Sequence, residues 1–459
     1  MKTVFITIFE GIEAKNLLRS DAVKTILKNP EVRVVFFTKD QGRVEYYQRE
    51  FSDPRMIYEV VEAPSVKGLD KIFRSLKFQL FRTPTAKLRR EMVFEVKKNN
   101  LTYYAGSVLN WIFGRRPVVN LVRALDFFLV RKNTYAPFFD KYSPDLVLCA
   151  NLFDEPETHL LREAKKRNIK TIGLMNSWDK PSARCLLRII PDKVIVFNDF
   201  VKDDLKNYQF VPEGKIYVAG VPQYDSYFSK NFWTREEFFK KINPPAGGDP
   251  SKKLIVYAPM GTTYSNSDWD IIDLLHKFSV EENFGKNTEI LVRFPPNDFI
   301  DKNEIAKRPW LLYDQPGMLF SSKRGIDWDL NFQDLEYLKN TLYHMDLIIC
   351  YASSISVDAA ILDKPVINID FEIRPAEVMA KSPTQFYKME HYRKALLSGG
   401  IRLVSSPEKL IEWVLSYISN PRSDQEGRQK LVCEQCQFTD GRSGERIGKF
   451  ILKNLNNEN

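Results

Sequence analysis

Two doubly wound α/β domains are the fold class the sequence predicts. Three observations carry this. Short, near-continuous apolar runs alternate with amphipathic stretches, the alternation breaks once across residues 229–251, and then it starts afresh. Apolar runs of this kind suit parallel strands covered by helices on both faces. A chain of 459 residues is long for one domain and suits two or three.

The first series opens with "KTVFITIF" (2–9), a turn at Glu10-Gly11, the helical "AKNLLRSDAVKTILKN" and "VRVVFFT" (32–38), a βαβ start. Further strands are predicted at 144–151, 169–177, 192–198 and 215–222, with a helix over "EPETHLLREAKKRN". The stretch 229–251 ends in Pro-Pro, Gly-Gly and Asp-Pro and reads as a linker. A second series places strands at 253–261, 288–296, 347–353, 365–370 and 401–406. Helices are predicted over "SPEKLIEWVLSYISN" and the C-terminal "GERIGKFILKNL". The expected organisation is a first domain at 1–228, a linker at 229–251, a second domain at 252–438, a C-terminal helix at 439–459, and a cleft between the domains.

Residues 67–132 depart from this rhythm. Fifteen Lys or Arg face four Asp or Glu, a local excess of +11 against +9 for the whole chain. Phe73, Phe78, Phe81, Trp111, Phe113, Phe127 and Phe128 are interleaved with them. The expectation is a basic helical insertion. It suits an anionic membrane surface better than nucleic acid, with a plain solvated arm as the bland reading.

Composition excludes several classes. Apolar residues at 44% and charged residues at 28% argue against global disorder. Five scattered cysteines fit a reducing compartment. The N-terminal apolar run is short for a signal peptide, and no run of about 18 apolar residues occurs. A cytoplasmic protein, peripheral on the inner face of the plasma membrane if 67–132 engages it, is the expectation. No dinucleotide fingerprint or phosphate-loop motif is present, "CEQC" (433–436) is a lone pair, and neither "DWD" ends an apolar strand. No metal and no cofactor are expected.

The strongest chemical signal is "YASSISVDAAILDKP" (351–365), where a strand runs into a helix opening on Ser353 and Ser354. Helix N-termini present unpaired N–H groups and the positive end of the dipole, so this junction suits a phosphate, although serines also cap helices. Asp358, one turn on, could reach a hydroxyl. Arg293 ends "EILVRFPP", Gly261 and Thr262 lie in the small-residue loop of "YAPMGTTYS", and Ser443 opens a helix in "TDGRSGERI" between Arg442 and Arg446. These are read together as anion-binding groups of one sheet edge. In the first domain Asp179 follows Ser177 and Trp178 on a loop and is a candidate general base. His391, in "MEHYRKALLSGG", lies in a polar, loop-rich stretch.

The segments "VAGVPQYDSYF", "YAPMGT", "LVRFPP", "LIICYASSISVDAAILDKPVI", "EHY", "GGIRLVSSPEKL" and "TDGRSGERI" resemble, in order and spacing, the CDP-glycerol glycerophosphotransferase family. The N-terminal "GIEAKNLLRSDAVKTILK" and "NSWDKPS" look more like surface-polysaccharide glycosyltransferase relatives. The resemblance implies a GT-B fold of two Rossmann-like domains. The second would hold a nucleotide-diphosphate donor at Ser353 and Ser354, with Asp358 on a donor hydroxyl and Arg293 and His391 nearby. The first would hold the acceptor, near Gly11, Ser177 and Trp178. Two departures stand out: the family has Trp-His-Gly where this chain has Trp178-Asp179-Lys180, and a histidine where it has Phe294. They leave the donor open and raise Asp179 as a base.

The expected activity is metal-independent transfer of a glycosyl or polyol-phosphate group from a nucleotide-activated donor to an acceptor hydroxyl, on a lipid-linked or polymeric acceptor of the cell envelope. Two alternatives remain. One is a UDP-N-acetylglucosamine 2-epimerase-like enzyme. The other is a non-catalytic membrane-surface or RNA-binding protein on the same scaffold.

Overall fold

The computed structural model describes residues 1–242, 248–321 and 327–456. The chain divides into two compact units, Met1–Asp225 with Cys436–Asn459, and Ser226–Gln435.

The first unit is built on β1 (Lys2–Thr7), β2 (Val32–Thr38), β3 (Met56–Val60), β4 (Leu146–Cys149), β5 (Lys170–Leu174), β6 (Lys193–Val196) and β7 (Ile216–Val218). They form one sheet in the order β3-β2-β1-β4-β5-β6-β7, parallel throughout. Val4 aligns with both Val34 and Leu146, and all three are fully buried, as a strand covered on both faces requires. β3 was not predicted. It is an edge strand whose residues are half-buried or exposed, and its Glu59 pairs with Lys141, so it lacks the apolar run of its neighbours.

The second unit contains β8 (Lys253–Ala258), β9 (Thr288–Arg293), β10 (Tyr313–Asp314), β11 (Met318–Leu319), β12 (Trp328–Asp329), β13 (Leu347–Cys350), β14 (Val366–Ile369) and β15 (Arg402–Val404). Six of them form a parallel sheet ordered β10-β9-β8-β13-β14-β15, while β11 and β12 make a small antiparallel pair. Counted within the six-stranded sheet this is 3-2-1-4-5-6, the order of the first six strands of the other unit. The strand order therefore reverses between β1 and β4 and again between β8 and β13. Ligands of such sheets bind outside the carboxyl ends of the strands at that reversal.

Two expected boundaries move. The stretch predicted as a linker contains the helix Arg235–Lys241, closed by a Thr234–Glu237 capping box, with Phe238 and Phe239 buried. The Trp233 N–H donates to Asn340 at 2.8 Å, fastening the stretch to the helix Phe332–His344. The Asn-Pro-Pro-Ala-Gly run at 243–247 lies outside the described residues. The C-terminal helix Ser443–Leu455 belongs to the first unit, packed on the helix Asp21–Leu27. Gly448 permits this, since a Cβ there would lie 2.6 Å from the Ala22 carbonyl oxygen.

Residues 67–132 form helices Leu69–Gln79, Pro84–Lys97, Asn100–Phe113 and Arg116–Leu129 between β3 and β4. Phe81, Leu80 and Val119 make a small core with Leu186. The aromatics divide: Phe73 and Phe81 are buried, whereas Phe78, Trp111, Phe113 and Phe128 stand exposed.

Candidate active site

The loops that leave β9, β8 and β13 lie side by side at the carboxyl edge of the second sheet. They carry Arg293, Gly261-Thr262 and Ser353-Ser354 respectively. The serine pair thus sits at the reversal between β8 and β13. Ser354 is the N-cap of the helix Ile355–Ile361, yet its side chain makes no capping hydrogen bond and is exposed. Ser353 is half-buried, and its hydroxyl accepts only a long 3.4 Å bond from the Ile355 N–H. Capping therefore does not account for the pair.

Beneath it lies a buried network that sequence reading missed. Asn368 on β14 donates to Cys350 Sγ at 3.1 Å and to Ser356 Oγ at 3.3 Å. The Tyr392 hydroxyl lies 3.0 Å from Ser356 Oγ, donates to Asn368 Oδ1 at 2.7 Å, and reaches the Ser353 carbonyl at 3.3 Å. Ser356, Asn368 and Tyr392 are each almost fully buried. Buried polar groups joined in this way hold one backbone conformation, here the strand-to-helix junction that presents the serines. Tyr392 also docks its own helix, Glu390–Leu396, against that junction. His391 is therefore in the first turn of a helix, not in the expected loop, and is half-buried.

Four residues expected at the donor, Arg293, Gly261, Thr262 and Asp358, are engaged by protein groups. Arg293 is 5% exposed and bound to Asp314 at 2.5 Å, with its guanidinium 5.6 Å from the Tyr337 ring. Burial pushes the Asp314 carboxyl up, against the pull of Arg293. Arg293 thus pairs with a half-buried carboxyl group where an external diphosphate was expected. The Gly261 N–H donates to Asp268 at 2.8 Å and the Thr262 N–H to Asp298 at 2.6 Å, so this loop's amides meet carboxylates. Gly261 is required there: its φ is +88° and a Cβ would lie 2.7 Å from Asp298 Oδ2. Asp358 is buried and accepts from the Tyr227 hydroxyl at 2.6 Å, a protein hydroxyl where a donor hydroxyl was expected. The Lys381 ammonium, not singled out from sequence, bonds the Thr262 carbonyl at 2.5 Å and brings a positive charge to this edge.

The Ser443 loop belongs to the other unit. It lies in the first unit, where Asp225 accepts from the Ser443 and Gly444 N–H groups at 3.0 and 2.8 Å, while Arg442 and Arg446 pair with Glu445 and Asp440. A protein carboxylate already fills this helix terminus.

In the first unit Gly11 opens the helix Gly11–Leu17 after β1, and Ser177, Trp178 and Asp179 follow β5, two strands away. Asp179 begins the short helix Lys180–Ala183 and accepts a close hydrogen bond from the Ser177 hydroxyl. Trp178 packs on the core of this unit. Two carboxyl groups escaped the sequence reading. Glu13 is fully buried, and its Oε2 accepts from the Phe9 and Glu10 N–H groups. Burial, and then the charge of Glu10, push its pKa to about 8, partly offset by Lys180. Glu157, from the helix after β4, is also fully buried, and neither of its oxygens has a hydrogen-bond partner among the described residues. Burial and then Glu13 push its carboxyl well up. A helical position three residues from a cap looks solvated in sequence, so no pattern flagged either group. Asp179 belongs to the first unit and His391 to the second.

One group of ligand-type side chains converges among the described residues: Asp70, Glu155 and His159. Its carboxylates are already engaged by Arg188 and Lys77, and His159 Nε2 by Asp70. Cys433 and Cys436 both lie on the helix Gln425–Cys436 as free thiols. No described helix is long and apolar enough to cross a membrane.

The structure is similar to a putative UDP-N-acetylglucosamine 2-epimerase from Listeria monocytogenes, with TM-score 0.56 and 12% identity over 100% of this chain and 98% of that one. A UDP-GlcNAc 2-epimerase from Neisseria meningitidis bound to UDP-GlcNAc gives 0.55 and 12%, over 99% and 100% of the two chains. A glycosyltransferase from Rickettsia africae gives 0.51 and 14%, over 99% of each. At these identities the likeness establishes the fold, GT-B with two Rossmann-like domains. No curated protein matches the sequence significantly. The family model for CDP-glycerol:poly(glycerophosphate) glycerophosphotransferase matches residues 170–453, well over half of the chain. The chain belongs to that family, and is an enzyme of the glycerophosphotransferase type.

Proposed function

We propose that the protein transfers a glycosyl or polyol-phosphate group from a nucleotide-diphosphate donor to an acceptor hydroxyl during assembly of a cell-envelope polymer or lipid-linked glycan. The observation that carries this reading is the serine junction at the reversal of the second sheet, with Ser354 exposed and making no capping bond, Ser353 half-buried and making only a long one, and the whole braced by Tyr392, Asn368 and Ser356. The Ser353 and Ser354 hydroxyls and the adjoining helix N-terminus would hold the diphosphate and stabilise charge on the leaving nucleotide. Lys381 would supply the cation that Arg293 gives to Asp314. Asp179 would take the proton of the acceptor hydroxyl, with the Ser177 hydroxyl orienting it. His391 would assist on the donor side. This reading requires no metal ion.

Calorimetric titration with UDP, CDP, GDP and CMP tests it. One diphosphate should bind, and Ser354→Ala should weaken it. If none binds and the variant turns over normally, the reading fails.

The buried carboxyl groups Glu13 and Glu157 favour a second reading, epimerisation of a nucleotide sugar, which needs acid and base carboxyls and no acceptor. Conversion of a UDP-sugar with no acceptor present would decide for it.

We further propose that the 67–132 insertion rests on an anionic bilayer that presents the acceptor. Trp111, Leu121 and Phe128 are 60%, 61% and 69% exposed within an insertion that carries fifteen Lys or Arg. The wild-type chain should co-sediment with phosphatidylglycerol vesicles and not with phosphatidylcholine ones, and Trp111→Ser with Phe128→Ser should abolish it. Equal binding to both vesicle types would exclude this partner.

A further inference from the structure

Three residues of the insertion reach into the loops that leave β4 and β5. The Lys77 ammonium, on a side chain that is 5% exposed, donates to the Phe153 carbonyl at 2.7 Å and pairs with Glu155 at 2.7 Å. The Lys77 carbonyl accepts from the Leu186 N–H at 3.0 Å. The Thr83 hydroxyl donates to the Ser182 carbonyl at 2.6 Å, and Arg123 donates to the Leu187 carbonyl at 2.8 Å. The loops are also tied to each other, since Arg184 donates to Asp154 at 3.1 Å. Asp179 starts the one-turn helix that these bonds hold at its far end, its own carbonyl accepting from Ser182 and Ala183.

The anchorage is a buried charge network. Arg188 binds Asp126 through two bonds of 2.8 Å and Asp70 at 2.8 Å. Arg162 binds Asp126 at 2.7 Å and His159 Nδ1 at 2.7 Å, and His159 Nε2 meets Asp70 at 3.1 Å. Asp70, Lys77 and Asp126 come from the insertion, whereas Glu155, His159, Arg162 and Arg188 come from the sheet domain. An arm that only covered the core would need apolar contacts. This one spends a fully desolvated charge network and side-chain bonds to loop carbonyls, the loops at the functional edge of the sheet.

We infer that the insertion positions the acceptor-side loops, with Lys77 and Thr83 acting as positioning residues for Asp179. The inference rests on the proposed role of Asp179 as base. A bilayer-seated arm would then orient the base relative to an acceptor presented at the same surface. Small displacements of a base from its proton cost large factors in rate.

The test compares Thr83→Val with Thr83→Ser in the full-length chain, because Lys77 variants leave a buried carboxylate unpaired and can fail to fold. Thr83→Val should lower kcat by about tenfold or more, leave the donor KM and vesicle binding unchanged, and speed hydrogen exchange at amides 182–186. Thr83→Ser should restore both readouts. Unchanged exchange overturns the inference, as does faster exchange with unchanged kcat. If the wild-type chain transfers nothing, the failure lies with the proposed reaction. Exchange alone then decides whether the insertion fixes these loops.

Discussion

The two sheets share a strand order and differ in what they place at its reversal. Where β13 leaves the second sheet, the chain turns into a helix through two serines, one exposed and one half-buried. Where β1 and β4 leave the first, the following helices bury Glu13 and Glu157. One backbone topology thus presents hydroxyls and helix N–H groups in one unit and carboxyl groups in the other. Hydroxyl and N–H donors suit an anion, whereas carboxyl groups that burial keeps protonated can give up a proton. The topology selects the location and the side chains select the chemistry.

That contrast can be broken most severely at Asp179. Asp179→Asn should lower kcat by about 10²–10⁴ with little change in donor affinity, measured by steady-state kinetics beside calorimetry. A normal kcat would remove the base from the first unit. Arg293→Met comes next. Leaving the half-buried Asp314 without its cationic partner should cost about 1–3 kcal/mol of stability by chemical denaturation. A selective loss of donor binding in a stably folded variant would instead restore Arg293 to the anion site. The double variant Ser353→Ala, Ser354→Ala should weaken donor binding by about tenfold or more through the loss of charge-directed hydrogen bonds. Tyr392→Phe leaves Asn368 Oδ1 without its 2.7 Å donor and should cost about 1–3 kcal/mol.

A last effect is read from pH. Glu13 holds its proton in the folded chain up to about pH 8, whereas the unfolded chain releases it near 4.5. Its contribution is fully present below pH 4.5 and is lost as pH rises through about 8, because the unfolded state then binds fewer protons. Glu13→Gln should flatten the fall of Tm over that interval. An unchanged profile would mean that Glu13 is ionised in the fold.

Several residues were legible in sequence because the pattern is local. Eleven predicted strands are present, each an apolar run bounded by turn residues, and Ser353-Ser354 follows one of them. Edge strands β3 and β10 were not legible, since half-buried strands lack a continuous apolar run. The Arg293–Asp314, Gly261–Asp268 and Asp358–Tyr227 bonds join residues 21, 7 and 131 positions apart, and no spacing rule reveals whether a charge faces solvent or a partner.

By itself the sequence determined the alternation of strand and helix, the two-domain plan and the positions where hydroxyls and an aspartate follow strands. Those properties depend on side-chain periodicity over a few residues. Tertiary structure alone decided which charges are spent internally, that the C-terminal helix returns to the first unit, and that the basic arm is wired to the loops around Asp179. Each of these follows from burial, which removes water as a partner and makes residues distant in sequence satisfy one another.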